Sequence, residues 1–184
     1  MPHLALHSEA EGILLDITQL ILDDHAEQRR LFAIIDAIDR SDVEALGAVW
    51  RRLRALLDTH AEAEERFFYP DLLKIGAGAA DADSAADETK DAIKDHNEIR
   101  DAALAVEDHP VGSDAWIDAV AGANKANGDH MAEEERQGLT DFRRHADRAL
   151  SHALAVRFAA FEAAHLTGVA PVNKNPRDYV KEHS

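Results

Sequence analysis

The amino-acid sequence predicts an all-α protein: an up-down-up-down four-helix bundle with an additional C-terminal helix and an irregular tail. Long stretches repeat apolar residues at alternating spacings of three and four, which is the period of a helix with one buried face. Glycine and proline are few and confined to short stretches, so the abundant helix formers continue without interruption. No stretch alternates apolar and polar residues with the period of a strand.

Two capping sequences mark where the first two helices begin. Ser8 is followed three residues later by Glu11, and Ser41 is followed in the same way by Glu44. In such a capping box the serine accepts a hydrogen bond from a free backbone N–H and the glutamate reaches back. The predicted helices span residues 9–39 and 42–73.

Breaker residues separate the remaining helices. Residues 74–87 are rich in Gly, Ala, Asp and Ser, and the next break contains Pro110 and Gly112. Ser113 then provides the expected N-cap of the fourth helix. The predicted elements are a third helix over 86–107, a fourth from Asp114 to Gln137-Gly138, where it ends or kinks, a fifth helix or bent extension over 141–166, and an irregular tail.

Length and connectivity indicate one domain. Four long helices joined by short or medium connections favour antiparallel neighbours, and hence the up-down-up-down arrangement. We expect residues 1–140 to form the bundle and residues 141–184 to pack on the same domain as a C-terminal helix and tail.

The net charge of −16 and the pI near 5.0 make phosphate backbones and anionic membranes poor partners. The chain has no cysteine, which excludes thiolate nucleophiles and cysteine-ligated zinc or iron–sulfur clusters. The N-terminus lacks the pattern of a signal peptide, and Asp16 and Gln19 interrupt the longest apolar run. We therefore expect a cytoplasmic protein, either a monomer or a weak homo-oligomer.

The predicted buried stripe of each bundle helix contains a histidine. In the first helix the stripe begins at Leu14 and reaches a core position at His25. The second and fourth helices add a glutamate one turn after the histidine, on the same face, because residues at i and i+4 are neighbours. The candidate metal ligands are His25, His60, Glu64, His96, His130 and Glu134.

A metal explains this set better than hydrogen bonding among its members. A carboxylate is costly to bury unless it is paired or bound to a cation. The four histidines follow one another at steps of about 35 residues, which places them at similar heights in an antiparallel bundle. Four imidazoles and two carboxylates in one core therefore predict bound metal ions held by nitrogen and oxygen ligands.

The other histidines, together with Tyr69 and two asparagines, are not assigned as metal ligands. His7 and Glu11 form a third His-x-x-x-Glu pair, about five turns before His25, and we interpret it as solvated. Tyr69 is expected to pack away from Glu64, although it could approach the metal if the helix unwinds before Pro70. The sequence leaves open whether Asn124 and Asn127 hydrogen-bond ligand imidazoles. The histidines interpreted as surface or packing residues are His3, His109, His145, His152, His165 and His183.

The chain resembles the hemerythrin-like family with the HHE cation-binding domain, in its four-histidine bacterial form. Four segments carry the resemblance, and together they cover most of the bundle. They are ILDDHAEQRRLF, LDTHAEAEERFFYP, DHNEIRDAALAV and GDHMAEEER.

The resemblance implies two iron ions, oxo- or hydroxo-bridged, with the four histidines as ligands and with Glu64 and Glu134 as bridging carboxylates. Oxygen-carrying hemerythrins have a further histidine where this chain has Arg100, and they have an aspartate five residues after the last histidine, where this chain has Glu135. The protein ligands would then fill about eight of about twelve octahedral positions. A site this open favours redox chemistry over oxygen carriage.

Two functions of different classes follow from the resemblance. The first is reaction with hydrogen peroxide or O2, as in catalase-like peroxide removal. The alternative is a non-catalytic protein that binds or senses O2, NO or iron. Repair of iron–sulfur clusters ranks last among the functions because the chain has no cysteine. The remaining possibility is a structural bundle with a polar core and no metal. The expected small ligand is a diatomic molecule or peroxide.

Overall fold

A computed structural model describes residues 14–184, and every regular element among them is an α-helix. The predicted all-α class is therefore confirmed. None of these helices is both long and apolar enough to span a membrane. In chain order the helices are α1 (Ile17–Ala37), α2 (Val43–Phe67), α3 (Tyr69–Ile75), α4 (Ala85–Glu107), α5 (Asp114–Arg136), α6 (Gly138–His145), α7 (Arg148–Ala164) and α8 (Pro176–His183).

The four long helices form the predicted bundle. Helices α1 and α2 are neighbours, as are α4 and α5, and the ring closes through α2 with α4 and α1 with α5. The connections 38–42 and 108–113 are too short to reach the far end of a helix, so each pair is antiparallel.

Helix α1 begins later than the sequence predicts. Asp16 is its N-cap, and the Asp16 side chain accepts a hydrogen bond from the backbone N–H of Thr18 at 2.9 Å. Leu14 lies before the helix and is 50% exposed, so the buried stripe begins at Ile17 and not at Leu14. The predicted cap of residues 8–11 lies outside the described residues.

Helices α2 and α5 both begin at side-chain caps. For α2 the cap is Asp42, which accepts from the N–H of Ala45, and not the predicted Ser41. The Ser41 hydroxyl bonds to Asp39 instead, because a short side chain readily bonds within its own turn. Ser113 caps α5, as predicted.

The predicted helix over 42–73 is interrupted at Phe68, so that α3 is a separate helix. Pro70 explains the break, because proline lacks an N–H and its ring clashes with the carbonyl four residues earlier, here that of Arg66. The break brings Tyr69 into the bundle, where it is 1% exposed.

The C-terminal region contains more helix than the sequence predicts. The single helix expected over 141–166 is divided into α6 and α7, because Ala146 is extended and Asp147 caps a new helix. The tail expected to be irregular contains α8. Asn175 caps this helix and Pro176 occupies its first turn, a combination that favours a helix start.

These C-terminal helices cover one end of the bundle. Helix α7 packs on α1 and α2, and α8 packs on α4. Phe158 of α7 is fully buried, and Tyr179 of α8 is 5% exposed and donates a hydrogen bond to the backbone carbonyl of Glu65. The tail therefore contributes directly to the environment of α2.

Two apolar clusters divide the core, and a polar layer lies between them. The first cluster includes Ile21, Phe68 and Phe158, and it extends to the C-terminal helices. The second surrounds Trp50 and Trp116, whose rings meet edge to face at 6.2 Å. On all four bundle helices the predicted histidine falls between the residues of one cluster and those of the other.

The loop between α3 and α4 is held by two buried carboxyl groups. Asp141 accepts hydrogen bonds from the backbone N–H groups of Ala77 and Gly78, and Glu88 accepts one from Ala79. The carboxyl groups of Glu88 and Asp141 also face each other, so a protonated Glu88 can donate a hydrogen bond to Asp141. Burial, together with the charge of Asp141, raises the pKa of Glu88 to about 7.

Glu88→Gln is expected to stabilise the protein at alkaline pH. The native pKa of Glu88 exceeds its unfolded value, so the native state binds the extra proton, and the free energy of unfolding falls as pH rises through about 7. Glutamine keeps a donor for Asp141 and an acceptor for Ala79 at every pH. We expect Tm to rise by about 2–4 °C at about pH 8, which corresponds to about 1 kcal/mol.

Thermal melts at about pH 5 and about pH 8 test this expectation. The gain should be much smaller at the lower pH, where Glu88 of the native wild-type protein is protonated and the stabilisation by its proton is largely retained. The control is Glu98→Gln, an exposed position on the same helix. An equal gain at both pH values would contradict the shared proton.

Candidate metal centre

The structure brings all six predicted ligands together in the polar layer. Each bundle helix contributes one histidine, and α2 and α5 each add a glutamate. All six side chains are removed from solvent, although imidazole and carboxylate are groups that water solvates well. Their exposures are 0% for His25, 4% for His60, 0% for Glu64, 1% for His96, 3% for His130 and 5% for Glu134.

Glu64 lies at the junction of two groups of potential ligands. One group consists of His25, His60 and Glu64, and the other of Glu64, His96 and His130; within each, the ligand atoms lie within 4.8 Å of one another. Oε1 of Glu64 is 3.0 Å from Nε2 of His60, and Oε2 is 3.1 Å from Nε2 of His96. Each carboxylate oxygen therefore faces one group, as a bridging carboxylate would.

Two further contacts join ligand atoms, one in the group of His96 and one between His25 and Glu134. Nε2 of His96 lies 3.1 Å from Nε2 of His130, and Nε2 of His25 lies 3.3 Å from Oε2 of Glu134. Two ligand atoms that bind one metal at right angles, each about 2.1 Å from it, are about 3.0 Å apart. The observed separations match that spacing.

A bound cation also accounts for the polar atoms of the layer that have no other partner. Buried polar groups are almost always hydrogen-bonded, and each one that is not costs about 1–3 kcal/mol. These atoms converge on the same small volume, where a cation would interact with all of them at once. The atoms without a hydrogen bond are Nε2 of His25 and His60, both carboxylate oxygens of Glu64, and Oε2 of Glu134.

A ring of outer carboxylates orients the histidines. In each histidine Nε2 faces the centre and Nδ1 faces a carboxylate, an arrangement that fixes the tautomer of a metal-binding imidazole and raises its basicity. The Nδ1–O distances are 2.9 Å for His25 with Glu135, 2.9 Å for His60 with Asp24, 2.8 Å for His96 with Glu65, and a longer 3.7 Å for His130 with Asp95.

Sequence reasoning missed these four carboxylates, although a signal for them was present. Each is adjacent in sequence to an inward-facing ligand, as Asp24 is to His25 and Glu65 is to Glu64. Consecutive helical residues point about 100° apart, so the acidic neighbour of a ligand is directed toward the next helix. An inward ligand with an acidic neighbour on every bundle helix therefore predicts the ring.

The negative charge of the layer raises the pKa of two of its histidines, His60 and His96. Burial alone would lower the pKa of His96, but the neighbouring carboxylates of Glu64 and Glu65 outweigh it and raise the value to about 9. Burial likewise opposes the charges of Glu64 and Asp24 at His60, and the pKa of His60 is again raised. The layer thus favours positive charge at Nε2, which a metal cation supplies by displacing the proton.

Tyr69 lies beside the candidate ligands, whereas sequence reasoning favoured packing away from them. Its hydroxyl donates a hydrogen bond of 2.5 Å to Oε1 of Glu134. The break before Pro70, which the sequence left open, is responsible. Burial and the nearby charges of Glu134 and Glu64 raise the pKa of Tyr69 well above its ordinary value, so the hydroxyl keeps its proton.

Arg100 is directed at the outer ring and not at the centre. Its guanidinium donates to Oε1 of Glu65 at 2.8 Å, on the same oxygen that His96 contacts. Lys174, from the segment before α8, also pairs with Glu65. Burial would raise the pKa of Glu65, but the hydrogen bond from His96 and these cations lower it to about 2.

Helix α7 also reaches the site. Glu162 forms a third group of potential ligands with Asp24 and His60, on the outer side of that histidine. Burial and the hydrogen bond with Asp24 raise the pKa of Glu162 to about 8. Sequence reasoning had no signal for Glu162, because its helix lies outside the bundle and its approach depends on how α7 docks.

The other histidines within the described residues have different contacts. His145 pairs with Asp141, His152 in α7 accepts a hydrogen bond from the backbone N–H of Leu15, and the remaining ones lie in loops or at helix ends. Asn127 donates to Gln28 at 2.9 Å and not to an imidazole, whereas Asn124 is half-buried. His3, His7 and Glu11 lie outside the described residues.

The comparison with known families agrees with this geometry. Residues 16–140 match the family described as the hemerythrin HHE cation binding domain. That range spans the four bundle helices and all six predicted ligands. No curated protein and no solved structure gives a significant match. The resemblance predicted from the four histidine-containing segments is confirmed: the chain belongs to the hemerythrin HHE cation-binding family and is a metal-binding protein.

Proposed function

We propose that the polar layer holds two iron ions and that the protein removes hydrogen peroxide. His25 and His60 would hold one ion, His96 and His130 the other, and Glu64 would bridge them. Glu134 would provide the second carboxylate. The observation that carries the proposal is the shared position of Glu64, whose two oxygens face different histidine groups at 3.0 and 3.1 Å.

Peroxide removal suits this ligand set better than oxygen carriage. The bound irons would supply and take back two electrons per cycle, so that two molecules of peroxide give two of water and one of O2. Arg100 occupies the position of the carriers' additional histidine, and it donates to Glu65 in the outer ring. Coordination positions are therefore left for a small reactant.

The surrounding side chains position the reactant and manage its protons. Tyr69 keeps a proton on its hydroxyl and directs it at Glu134, close to where a reactant at the Glu134 side of the centre would lie. The outer carboxylates hold each imidazole with Nε2 inward. The two apolar clusters on either side exclude bulk water from the layer.

The test is peroxide turnover by the iron-loaded protein. We expect O2 evolution well above that of free iron, together with an iron content of about two per chain, and loss of both in His60→Ala. Turnover equal to that of free iron, or equal in His60→Ala, would contradict the proposal. Reversible O2 or NO binding without turnover would instead favour the non-catalytic alternative.

Tyr69→Phe is expected to lower peroxide turnover by about tenfold while leaving the iron content unchanged. A hydroxyl that positions a proton contributes about 10²–10⁴-fold when it acts as a general acid, and less when it only orients a neighbour. The measurement is the kcat for O2 evolution, together with metal analysis of the same sample. Tyr179→Phe, which removes a buried hydroxyl directed at the Glu65 carbonyl, is the matched control. Equal kcat losses in both variants would mean that the effect comes from packing.

A further inference from the structure

A small cavity leads from the surface to one side of the candidate centre. It lies between α4 and α5, at the beginning of α6, and its deep wall is formed by Tyr69, His130 and Glu134. Its volume is about 10 Å³, close to what one water molecule requires. A guest in this cavity would be in contact with the Tyr69 side chain and with two predicted ligands.

The outer part of the cavity is lined by carboxylates. Asp91 is exposed, Asp95 and Glu133 are half-buried, and Glu88 lines the wall below them. Among the described residues, Lys94 approaches Asp95 to 3.9 Å, but no lysine or arginine pairs with Asp91 or Glu133. A cleft lined by one sign of charge concentrates the opposite charge and repels its own.

The larger cavities on the described surface do not reach the centre. One lies against Leu15 and Phe142, one beside Lys174, one between Asp24 and His165, and one along Lys90, Lys94 and Arg177, next to Asp91; none of these four is lined by a predicted ligand. The cavity at Tyr69 therefore connects the solvent with the side of the centre where the Tyr69 hydroxyl meets Glu134.

We infer that this cavity is the entry to the metal centre, and that the carboxylates at its mouth select among reactants: uncharged two-atom and peroxide molecules pass, metal cations are attracted, and anions are held back. The inference rests on the proposed function for the identity of the reactant. The selectivity itself follows from the lining residues.

The first experiment narrows the cavity. Gly138 lines it, and a Cβ at this position would lie in ordinary contact with Leu72, Phe68 and Glu134 at 3.5–3.7 Å. Gly138→Ala therefore fits without displacing its neighbours. We expect azide to bind the iron-loaded protein at least threefold more slowly in a stopped-flow measurement. Gly122→Ala is the control, because its added methyl would have no neighbour within 4 Å.

Ala92→Leu narrows the same cavity from the opposite wall, on α4. It provides a second, bulkier obstruction, and its folding is checked by circular dichroism. We expect slower azide binding here as well. If both variants bind azide at the rate of Gly122→Ala, the cavity is not the entry.

The second experiment removes charge from the mouth. In Asp91→Asn/Glu133→Gln we expect azide to bind about threefold to tenfold faster and Co²⁺ to enter the metal-free protein more slowly by a similar factor, with the NO binding rate unchanged. Opposite effects on an anion and a cation cannot arise from a general loosening of the fold. Asp36→Asn/Asp118→Asn makes the same change in net charge at exposed positions far from the mouth.

Each result has a distinct meaning. Equal azide and Co²⁺ rates in the mouth variant and its charge-matched control would overturn the selectivity, since the net charge alone would then account for them. The Co²⁺ measurement needs neither iron nor turnover. If the azide and Co²⁺ rates change as expected but no O2 evolves from peroxide, the proposed function is wrong and the cavity is still the entry. If O2 evolves but these rates are the same as in the controls, the proposed function holds and the cavity is not the entry.

Discussion

Glu64→Gln is expected to reduce the metal affinity of both positions of the centre by more than a hundredfold. Replacing a group that only orients a ligand typically costs about 10–100-fold, and Glu64 contacts the ligand atoms of both histidine groups directly. It is fully buried, so no water can take over either oxygen. Glutamine has the same volume but carries no charge, which separates loss of ligation from loss of packing.

Metal analysis after anaerobic loading, together with competition titration using Co²⁺, measures this effect. Glu65→Gln, one residue along the same helix, is the graded control, because His96 is the only candidate ligand that Glu65 contacts, and it does so at Nδ1. We expect Glu65→Gln to lower the metal affinity of the position held by His96 and His130 by about 10–100-fold, and to leave the affinity of the position held by His25 and His60 unchanged. If Glu64→Gln lost one ion and kept the second at wild-type affinity, Glu64 would not be the bridge.

Phe158→Ala is expected to lower the free energy of unfolding by about 3–5 kcal/mol, the usual cost of truncating a fully buried phenylalanine. For a chain of this size the loss corresponds to a fall in Tm of about 6–20 °C. Phe158 lies in the apolar cluster below the polar layer, and its ring meets the His60 ring edge to face at 6.0 Å. The cavity would therefore open against a predicted ligand.

Thermal melts of the metal-free and metal-loaded proteins measure the loss of stability and the change in stabilisation by bound metal. Phe161→Ala on the same helix is the control, because Phe161 is half-buried and packs on Phe67, away from the ligands. We expect it to cost about half as much and to leave the stabilisation by metal unchanged. Equal losses in the two variants would indicate that α7 contributes to stability without supporting the centre.

The positions of the bundle helices were well predicted where a local signal acts alone. Helix α5 begins at the Ser113 cap, because a serine that bonds a free N–H does so whatever surrounds it. The predictions failed where two local signals compete. Ser41 precedes α2, but Asp42 is the cap, and the choice depends on the bond from Ser41 to Asp39.

The C-terminal region shows a different limit. The predicted helix over 141–166 has helical composition throughout, yet Asp147 begins a new helix within it. Asn175 and Pro176 formed a start signal that the polar composition of the tail obscured. In both places the change of direction lets α7 and α8 reach the bundle, and burial at that contact favours the break.

The candidate centre shows how far the sequence by itself can determine this protein. It determined the six candidate ligands, because a helix repeats its faces at a fixed period and a histidine or glutamate on an apolar face is visible in the order of residues. The family followed from the same segments. What the order of residues cannot express is which side chains of different helices meet.

Only the tertiary structure decided the rest of the site: the shared position of Glu64, the outer carboxylates, the hydrogen bond from Tyr69 to Glu134, the contact of Glu162 with Asp24, and the cavity between α4 and α5. Each depends on the rotation and height of one helix relative to another. Those quantities are set by packing across the whole core and not by the period of any single helix.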